Sequence, residues 1–305
     1  MKIFVTGGTG FVGTRLVARL RKEGHEMLIL TRSAPQTGKP AEGMRFIQGD
    51  PSKPGPWQAE AAGCDAAVNL AGSSIFSRWT KKRKTLILES RIATTRHLVE
   101  AMLKSAKPMT LVSASAVGFY GFHGDEELDE RSEPGRDFLA EVTKAWEGEA
   151  AKASAAGGRV VIARFGIVLG EAGALGQMKR LFKMFIGGPL GSGRQWFPWI
   201  HVDDLVEAIV FLVRRQEMSG PVNLCSPNPV RNRELAKALG RALHRPSFVR
   251  APGFMIRLVL GPFGNVILRG QKVLPRKLLD AGFRFRYPAI DEALADVLTK
   301  KETGA

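Results

Sequence analysis

Short apolar runs alternate with stretches of helical spacing through the first half of the chain. Ile3-Phe4-Val5 is a run of strand type, and the apolar residues at 12, 16, 17 and 20 share one face of a helix. Further strands are predicted at 27–30, 44–48, 66–70, 110–115 and 160–165, with long helices at about 80–105 and 137–156. This alternation predicts an α/β protein with a Rossmann-like, doubly wound and mostly parallel sheet.

A glycine-rich turn separates the first strand from the first helix. Gly7 permits a tight turn, Gly10 lets the backbone approach a pyrophosphate, and Gly13 lets the helix pack closely on the strand. The N–H groups and the dipole of the first helical turn favour an anion there. The pattern predicts a dinucleotide site made by Gly7, Thr9, Gly10, Phe11, Val12 and Gly13.

The end of the second strand indicates which dinucleotide binds. Proteins that bind NAD usually place Asp or Glu there for the ribose 2′-hydroxyl, and Thr31-Arg32-Ser33 holds neither. Arg32 suits a 2′-phosphate, which predicts NADP(H), although a solvated surface arginine is the alternative. Ligands of such sheets bind beyond the carboxyl ends of the strands. Residues at the following strand ends therefore complete the predicted cofactor site: Asp50, Leu70, Ala71, Gly72 and Ser113.

The pattern changes after Gly170. Glycine and proline become dense over residues 187–198, and regular strands become short. We therefore predict a nucleotide-binding domain over residues 1–169, to which residues 200–224 return. Residues 170–305 are predicted to form a smaller, loop-rich substrate domain.

The net charge of +16 restricts the partners. The one dense basic run, Lys81 to Lys84, lacks interleaved aromatic residues beyond Trp79, so we expect an anionic small-molecule substrate and no nucleic acid. The apolar stretch 254–268 is too short and interrupted to span a bilayer, so no membrane partner is expected. Two cysteines without metal or redox spacing, and a chain that starts in a core strand, predict a cytoplasmic protein. The sequence leaves open whether it is a monomer or a homodimer.

Several segments carry a resemblance to a known family. Thr6-Gly-Gly-Thr-Gly-Phe-Val-Gly13, Asn69-Leu-Ala-Gly72, Ser113-Ala-Ser115 and Tyr120-Gly121 resemble the extended short-chain dehydrogenases/reductases, the superfamily of nucleotide-sugar epimerases and dehydratases. The segments 191–204 and 274–285 are similar to its atypical "epimerase family protein" group, which contains bacterial YfcH-type proteins. The resemblance implies a Rossmann-like fold and NADP(H) binding, but no particular reaction.

The superfamily's catalytic pattern is incomplete in this chain. The resemblance implies a Tyr-x-x-x-Lys pair on the helix after the fifth strand and a serine at the end of that strand. Lys144 and Ser115 match two of the positions, whereas Ala140 takes the place of the tyrosine. The match implies that Lys144 binds the cofactor ribose, with a surface helix lysine as the alternative. Tyr120 is the candidate substitute for the acid/base, with structural packing as the favoured alternative, and His123 is a weaker candidate.

Aromatic and cationic residues are the candidates for binding substrate. Arg194 and Trp196 could clamp an anionic, planar group, and Arg78, Trp79 and Arg91 could act from the other side of a cleft. His201-Val-Asp203-Asp204 is better explained as a strand end and a helix cap than as a metal site, so no metal is expected.

The sequence thus favours an NADP(H)-dependent oxidoreductase or epimerase that acts on an anionic, possibly nucleotide-linked molecule. The alternative is a non-catalytic NADP(H)-binding sensor or assembly factor that has lost the tyrosine.

Overall fold

The chain folds around one large sheet. The computed structural model describes residues 1–33 and 41–299. Within them the strands are β1 (Lys2–Thr6), β2 (Glu26–Thr31), β3 (Met44–Gln48), β4 (Ala66–Asn69), β5 (Thr110–Ala116), β6 (Glu127–Leu128), β7 (Arg159–Phe165), β8 (Ile167–Leu169), β9 (Trp196–Phe197), β10 (Trp199–His201), β11 (Gly220–Leu224), β12 (Val230–Arg231) and β13 (Lys272–Val273). The helices are α1 (Phe11–Lys22), α2 (Trp57–Ala62), α3 (Lys81–Met102), α4 (Phe138–Ala151), α5 (Ala174–Lys183), α6 (Val202–Arg214), α7 (Asn232–Leu243), α8 (Gly253–Leu260), α9 (Phe263–Leu268), α10 (Arg276–Asp280) and α11 (Ile290–Thr299).

Seven strands form the central sheet, in the order β3-β2-β1-β4-β5-β7-β11, and every pair is parallel. The Rossmann-like fold class predicted from the sequence is therefore confirmed. The chain reverses its direction of winding between β1 and β4, and sheets of this class bind ligands at that reversal. The edge strand β11 joins β7 after a long excursion of the chain, with Gly220 opposite Val161.

Helices cover both faces of the sheet. Ile3 and Val5 of β1 point to the face that α1 and α6 cover, and Phe4 points to the face of α2, α3 and α4. This alternation follows from the two-residue period of a strand, and a parallel sheet buried on both faces needs apolar residues on each. The two layers hold the strand ends in fixed positions.

A second core lies beside the sheet. It packs α5, α7 and α11 around buried residues of β8 and β10, including Leu169 and Trp199. The predicted helix 137–156 is in fact shorter: α4 gives way to a 3-10 turn over Lys152–Ala156, which ends at Gly157 in a left-handed conformation. No helix within the described ranges is both long and apolar enough to cross a membrane.

Candidate nucleotide site and its surroundings

The turn between β1 and α1 is shaped by the close approach of backbone to backbone. Gly7 has a φ of +70°, and a Cβ there would lie 2.8 Å from the carbonyl carbon of Leu70. A Cβ on Gly13 would overlap the carbonyl oxygen of Gly7. Only glycine fits either position, so the two residues create a notch between β1, the exit of β4 and the start of α1.

The first turn of α1 presents free N–H groups beside this notch. Gly10 is the N-cap residue in an extended conformation, no side chain caps the helix, and its first turn holds no acidic residue. Thr9 and Gly10 are exposed, while Phe11 and Val12 are half-buried. An uncapped helix start with no competing carboxylate suits a pyrophosphate, so these residues fit a dinucleotide.

Arg32 and Asp50 lie at the same edge of the sheet. The Gly49 N–H donates to the Thr31 carbonyl at 2.9 Å, which brings the ends of β2 and β3 together. Arg32 is exposed. Asp50 accepts from the Ser52 hydroxyl at 2.7 Å, and this bond, with the charges of Lys53 and Arg32, lowers the pKa of the carboxyl.

The exit of β4 borders the notch through its backbone. The Thr6 hydroxyl donates to the Asn69 side chain at 2.6 Å, and the Leu70 N–H donates to the Thr6 carbonyl at 3.1 Å. Leu70 and Ala71 are partly exposed and Gly72 is exposed. Ser113, in contrast, is fully buried, and its hydroxyl accepts from Asn69. The hydroxyl of Ser113 therefore organises the strand ends and is not open to a ligand here.

Ser115 is held by a buried ion pair. Its hydroxyl donates to Oε1 of Glu147 at 2.6 Å. Arg164 donates to both oxygens of Glu147, at 2.9 Å from Nε and 2.8 Å from Nη2. Ser115 and Arg164 are register partners on β5 and β7, and Glu147 reaches them from α4. The arrangement fixes the orientation of the Ser115 hydroxyl.

Tyr120 belongs to the same network and is fully buried. Its hydroxyl donates to Oδ1 of Asn223 at 2.7 Å and accepts from Arg164 at 2.9 Å. Burial raises the pKa of Tyr120 well above its usual value. These contacts support the structural interpretation of Tyr120 rather than a role as the acid/base.

The other candidates for proton transfer lie apart from this network. Ala140 is fully buried, whereas Lys144 is exposed and forms no ion pair with any described residue. The Nε2 atom of His123 lies 2.9 Å from the Tyr120 carbonyl, which ties the ring to the loop. The side chain of Ala140 itself offers no proton donor at the position of the tyrosine.

The candidates on the α3 side occupy different environments. Trp79 is buried against Phe138 and Phe263, and its ring N–H donates to the Ile75 carbonyl at 3.0 Å, so it packs rather than lines a cleft. Arg78 is exposed. Arg91 lies largely buried behind Gly72, donates to two carbonyls, and pairs with no described carboxylate. Burial lowers the pKa of Arg91 to about 10.

Trp196 and Arg194 lie in a polar cluster on the other side. The Trp196 ring N–H donates to Asp125 at 2.8 Å, and the guanidinium of Arg231 lies 4.3 Å from the ring centroid. Lys272 is a second cation, at 5.2 Å. The cation that covers the Trp196 ring is thus Arg231, whereas Arg194 is exposed and contributes its carbonyl to Arg231.

His201, Asp203 and Asp296 place possible metal-ligand atoms within 4.8 Å of one another. However, Nδ1 of His201 accepts from the Asp203 N–H at 3.1 Å, and Nε2 lies 3.2 Å from Asp296. Both ring nitrogens are thus engaged within the protein, Nδ1 as a helix cap and Nε2 beside the Asp296 carboxylate.

Three members of the Ser115 network, Glu147, Arg164 and Asn223, were not among the site residues predicted from the sequence. The side chain of Glu147 is mostly buried, because α4 turns it toward β7. Arg164 lies among apolar residues of a strand, and Asn223 lies on β11. A charged residue within a predicted core strand was the only signal, since burial of Arg requires a partner.

Comparisons with known proteins agree with this architecture. Residues 3–225 match the NAD dependent epimerase/dehydratase family, and residues 251–297 match a domain of unknown function, DUF1731. The chloroplastic epimerase family protein SDR39U1 homolog of Arabidopsis thaliana is 43% identical over 302 residues, which span 98% of this chain and 87% of that protein. Epimerase family protein YfhF of Bacillus subtilis is 41% identical over 305 residues, 99% of this chain and 100% of that protein.

Solved structures show the same likeness. The crystal structure of human epimerase family protein SDR39U1 (isoform 2) with NADPH matches with a TM-score of 0.84 and 33% identity, covering 98% of this chain and 99% of that one. MoeE5 in complex with UDP-glucuronic acid and NAD matches with a TM-score of 0.81 at 22% identity over 100% of both chains, which supports the fold alone. The resemblance found in the sequence is confirmed, and the chain belongs to the NAD dependent epimerase/dehydratase family.

Proposed function

We propose that this protein is an NADP(H)-dependent oxidoreductase or epimerase that acts on a small anionic molecule. The observation that carries the proposal is the notch at Gly7 and Gly13 beside the uncapped start of α1. NADPH in the related human structure supports the same cofactor class. When bound, the nicotinamide would supply or accept a hydride at a carbon of the substrate.

Different residues of the chain would bind different parts of this cofactor. The first turn of α1 would hold the pyrophosphate, and the backbone at 70–72 would border it. Arg32 would hold the 2′-phosphate, because a guanidinium matches its geometry and charge. Ser115, whose hydroxyl donates to Glu147, would accept a hydrogen bond from a hydroxyl of the substrate.

The substrate class follows from charge. Arg91 is largely buried and pairs with no described carboxylate, so an anion bound near Gly72 would compensate its charge. The net charge of +16 would also attract an anionic substrate. These two observations support a phosphorylated or carboxylated molecule, including a nucleotide-linked one.

Equilibrium titration with NADPH and NADH tests the cofactor. We expect NADPH to bind about tenfold or more tightly, and Arg32→Ala to remove that preference without weakening NADH. Arg21→Ala, an exposed arginine on α1, is the matched control and should change neither affinity. Binding of neither nucleotide would overturn the proposal, and equal affinities would refute only the choice of NADP(H).

A second candidate is a non-catalytic NADP(H)-binding sensor or assembly factor. Buried Ala140 at the tyrosine position and the sequestered hydroxyl of Tyr120 favour it. NADPH oxidation across a panel of carbonyl and nucleotide-sugar substrates separates the two. Turnover that Ser115→Ala abolishes, with NADPH binding intact, would establish the enzyme, and binding without any turnover would favour the sensor.

A further inference from the structure

Helix α8 exposes apolar side chains on its outer face. Phe254, Met255, Leu258 and Val259 are 69%, 50%, 74% and 65% exposed, and no residue of α8 is buried. At one turn per 3.6 residues, these positions share one side of the helix. The opposite side is also apolar, because Leu260 packs in a cluster with Trp79 and Phe263. Helix α8 therefore lacks the polar outer face that is typical of a surface helix.

A second apolar segment lies beside α8. The Val249 N–H donates to the Gly187 carbonyl at 3.2 Å, and the Ala251 N–H donates to the Pro189 carbonyl at 3.1 Å, so residues 184–191 run along the entry to α8. We call one set of exposed apolar side chains the apolar patch. It comprises those of α8, of residues 184–186 and of Phe248: Met184, Phe185, Ile186, Phe248, Phe254, Met255, Leu258 and Val259. Exposed apolar side chains concentrated in neighbouring segments of a protein surface are typical of an interaction site.

Basic residues lie on the same segments of the chain as the apolar patch, and these segments contain no acidic residue. The guanidinium of Arg245 lies 4.7 Å from the centroid of the Phe185 ring, and Lys183, Arg250 and Arg257 are exposed. The sequence contains no Asp or Glu over residues 172–202 or over residues 235–279. The segments that form the patch therefore combine apolar side chains with basic ones and contain no acidic residue.

This charge distribution decides between the possible occupants. A second copy of the chain, docked by the same patch, would place cations against cations without a carboxylate to separate them. An anionic lipid surface offers phosphates for the basic residues and acyl chains for the apolar ones. The chemistry of the patch thus matches a membrane better than a self-complementary dimer.

We propose that the apolar patch is a docking surface for an anionic lipid membrane, with α8 lying in the interface. The sequence predicted no membrane partner because that prediction rested on the length needed to span a bilayer, and an interfacial helix needs no such length. The patch is distinct from the notch at Gly7 and Gly13, so the inference does not depend on the proposed function.

Cosedimentation of the full chain with lipid vesicles tests the inference. We expect binding to vesicles that contain phosphatidylglycerol, weakened by salt, and no binding to vesicles of phosphatidylcholine alone. Phe254→Ser with Leu258→Ser should weaken binding about tenfold or more, since the buried apolar area supplies the insertion energy. Leu86→Ser with Leu103→Ser is the matched control, because both side chains are 48% exposed and lie outside the patch.

A second pair of variants separates the patch from general attraction to a basic protein. Arg250→Glu with Arg257→Glu and Lys22→Glu with Lys104→Glu change the net charge equally, and all four side chains are exposed. We expect a larger loss from the first pair. Absence of binding to anionic vesicles, or equal losses from both charge pairs with no loss from the serine pair, would overturn the proposal. A dimer in sedimentation velocity that the Phe254/Leu258 variant abolishes, without vesicle binding, would identify a second copy as the occupant instead.

Discussion

Glu147 accepts hydrogen bonds from the hydroxyl of Ser115 and from two nitrogens of Arg164, and Arg164 also donates to the hydroxyl of Tyr120. One buried cation therefore positions Tyr120 directly and Ser115 through Glu147, two of the residues that the sequence nominates for catalysis. In a site without the usual tyrosine, this network orients the Ser115 hydroxyl toward the Glu147 carboxylate and gives Tyr120 a structural role. The proton in any reaction would come from the substrate or from water.

Removing the buried cation should be costly. Arg164→Met keeps an unbranched apolar stem but leaves Glu147 uncompensated, and breaking a buried pair from one side costs about 3–5 kcal/mol. We expect the free energy of unfolding, measured by urea denaturation, to fall by about this amount. Arg241→Met, which removes an exposed pair with Asp291, is the control and should leave the urea midpoint unchanged. A loss for Arg164→Met that is no larger than the control's would contradict this account.

The two cysteines should be inert in the folded protein. Cys64 and Cys225 are fully buried, and burial raises the pKa of the Cys64 thiol to about 11. The thiolate is the reactive form, so it is scarce at neutral pH and also shielded. A chromogenic disulfide reagent should label neither thiol in the native protein and both after unfolding in urea. Labelling of the native protein at the rate of a free thiol would show that these positions open.

The glycine turn could be predicted from the sequence because its glycines follow a fixed, short spacing between a strand and a helix. Glu147 and Asn223 could not be predicted, because their roles depend on contacts with strands distant along the chain. Trp79 and Trp196 show the same limit: spacing cannot say whether an indole packs inside a cluster, as Trp79 does, or lies against a cation, as Trp196 does. Burial and partners depend on tertiary packing.

Strands β1 to β5 were predicted to within one residue at each end. All but the edge strand β3 are largely buried, and strands buried on both faces form continuous apolar runs. The short strands β6, β9, β12 and β13 escaped prediction. Each has two residues and exists only because a distant partner lies beside it, as Trp196 of β9 lies opposite Arg231 of β12. Such pairs leave no periodic signal.

Glycines in two helices should respond oppositely to alanine. Gly13→Ala would drive its methyl group into the Gly7 carbonyl, so it should lower stability and weaken NADPH binding. Gly148 lies in α4 with nothing within 4 Å of its ideal Cβ, so Gly148→Ala should raise stability by about 0.5–1 kcal/mol. Urea denaturation of both variants checks the signs. A Gly13→Ala protein with native stability and nucleotide affinity would refute the tight packing of α1 on β1.

One carboxylate joins the C-terminal region to helix α6, which packs on one face of the central sheet. Asp204, at the start of α6, accepts from the backbone N–H groups of Arg286 at 2.8 Å and Tyr287 at 3.0 Å. It is buried, and burial raises the pKa of its carboxyl more than these two bonds lower it. The folded protein therefore holds a proton on Asp204 to a higher pH than the unfolded chain does.

The free energy of unfolding should therefore depend on pH through the Asp204 carboxyl. Stability associated with a raised carboxyl pKa is complete below the usual Asp range and is lost as the pH rises through the raised pKa. Relative to Asp204→Asn, the wild type should lose free energy of unfolding as the pH rises across that window. Thermal melts of both proteins from acid to neutral pH measure the difference, with Asp280→Asn, an exposed acid, as the control. A difference that grows in the opposite direction would contradict the assignment.

The late return of β11 to the sheet has a consequence for how the protein is made. While the chain leaves the ribosome, β7 is complete long before residues 220–224 emerge to pair with it. Until then β7 is an open edge of apolar, β-rich sequence, and such edges recruit other strands. Contacts so far apart along a chain also form slowly. Synthesis that pauses between α5 and β11 should therefore yield nascent chains that depend on chaperones and aggregate without them.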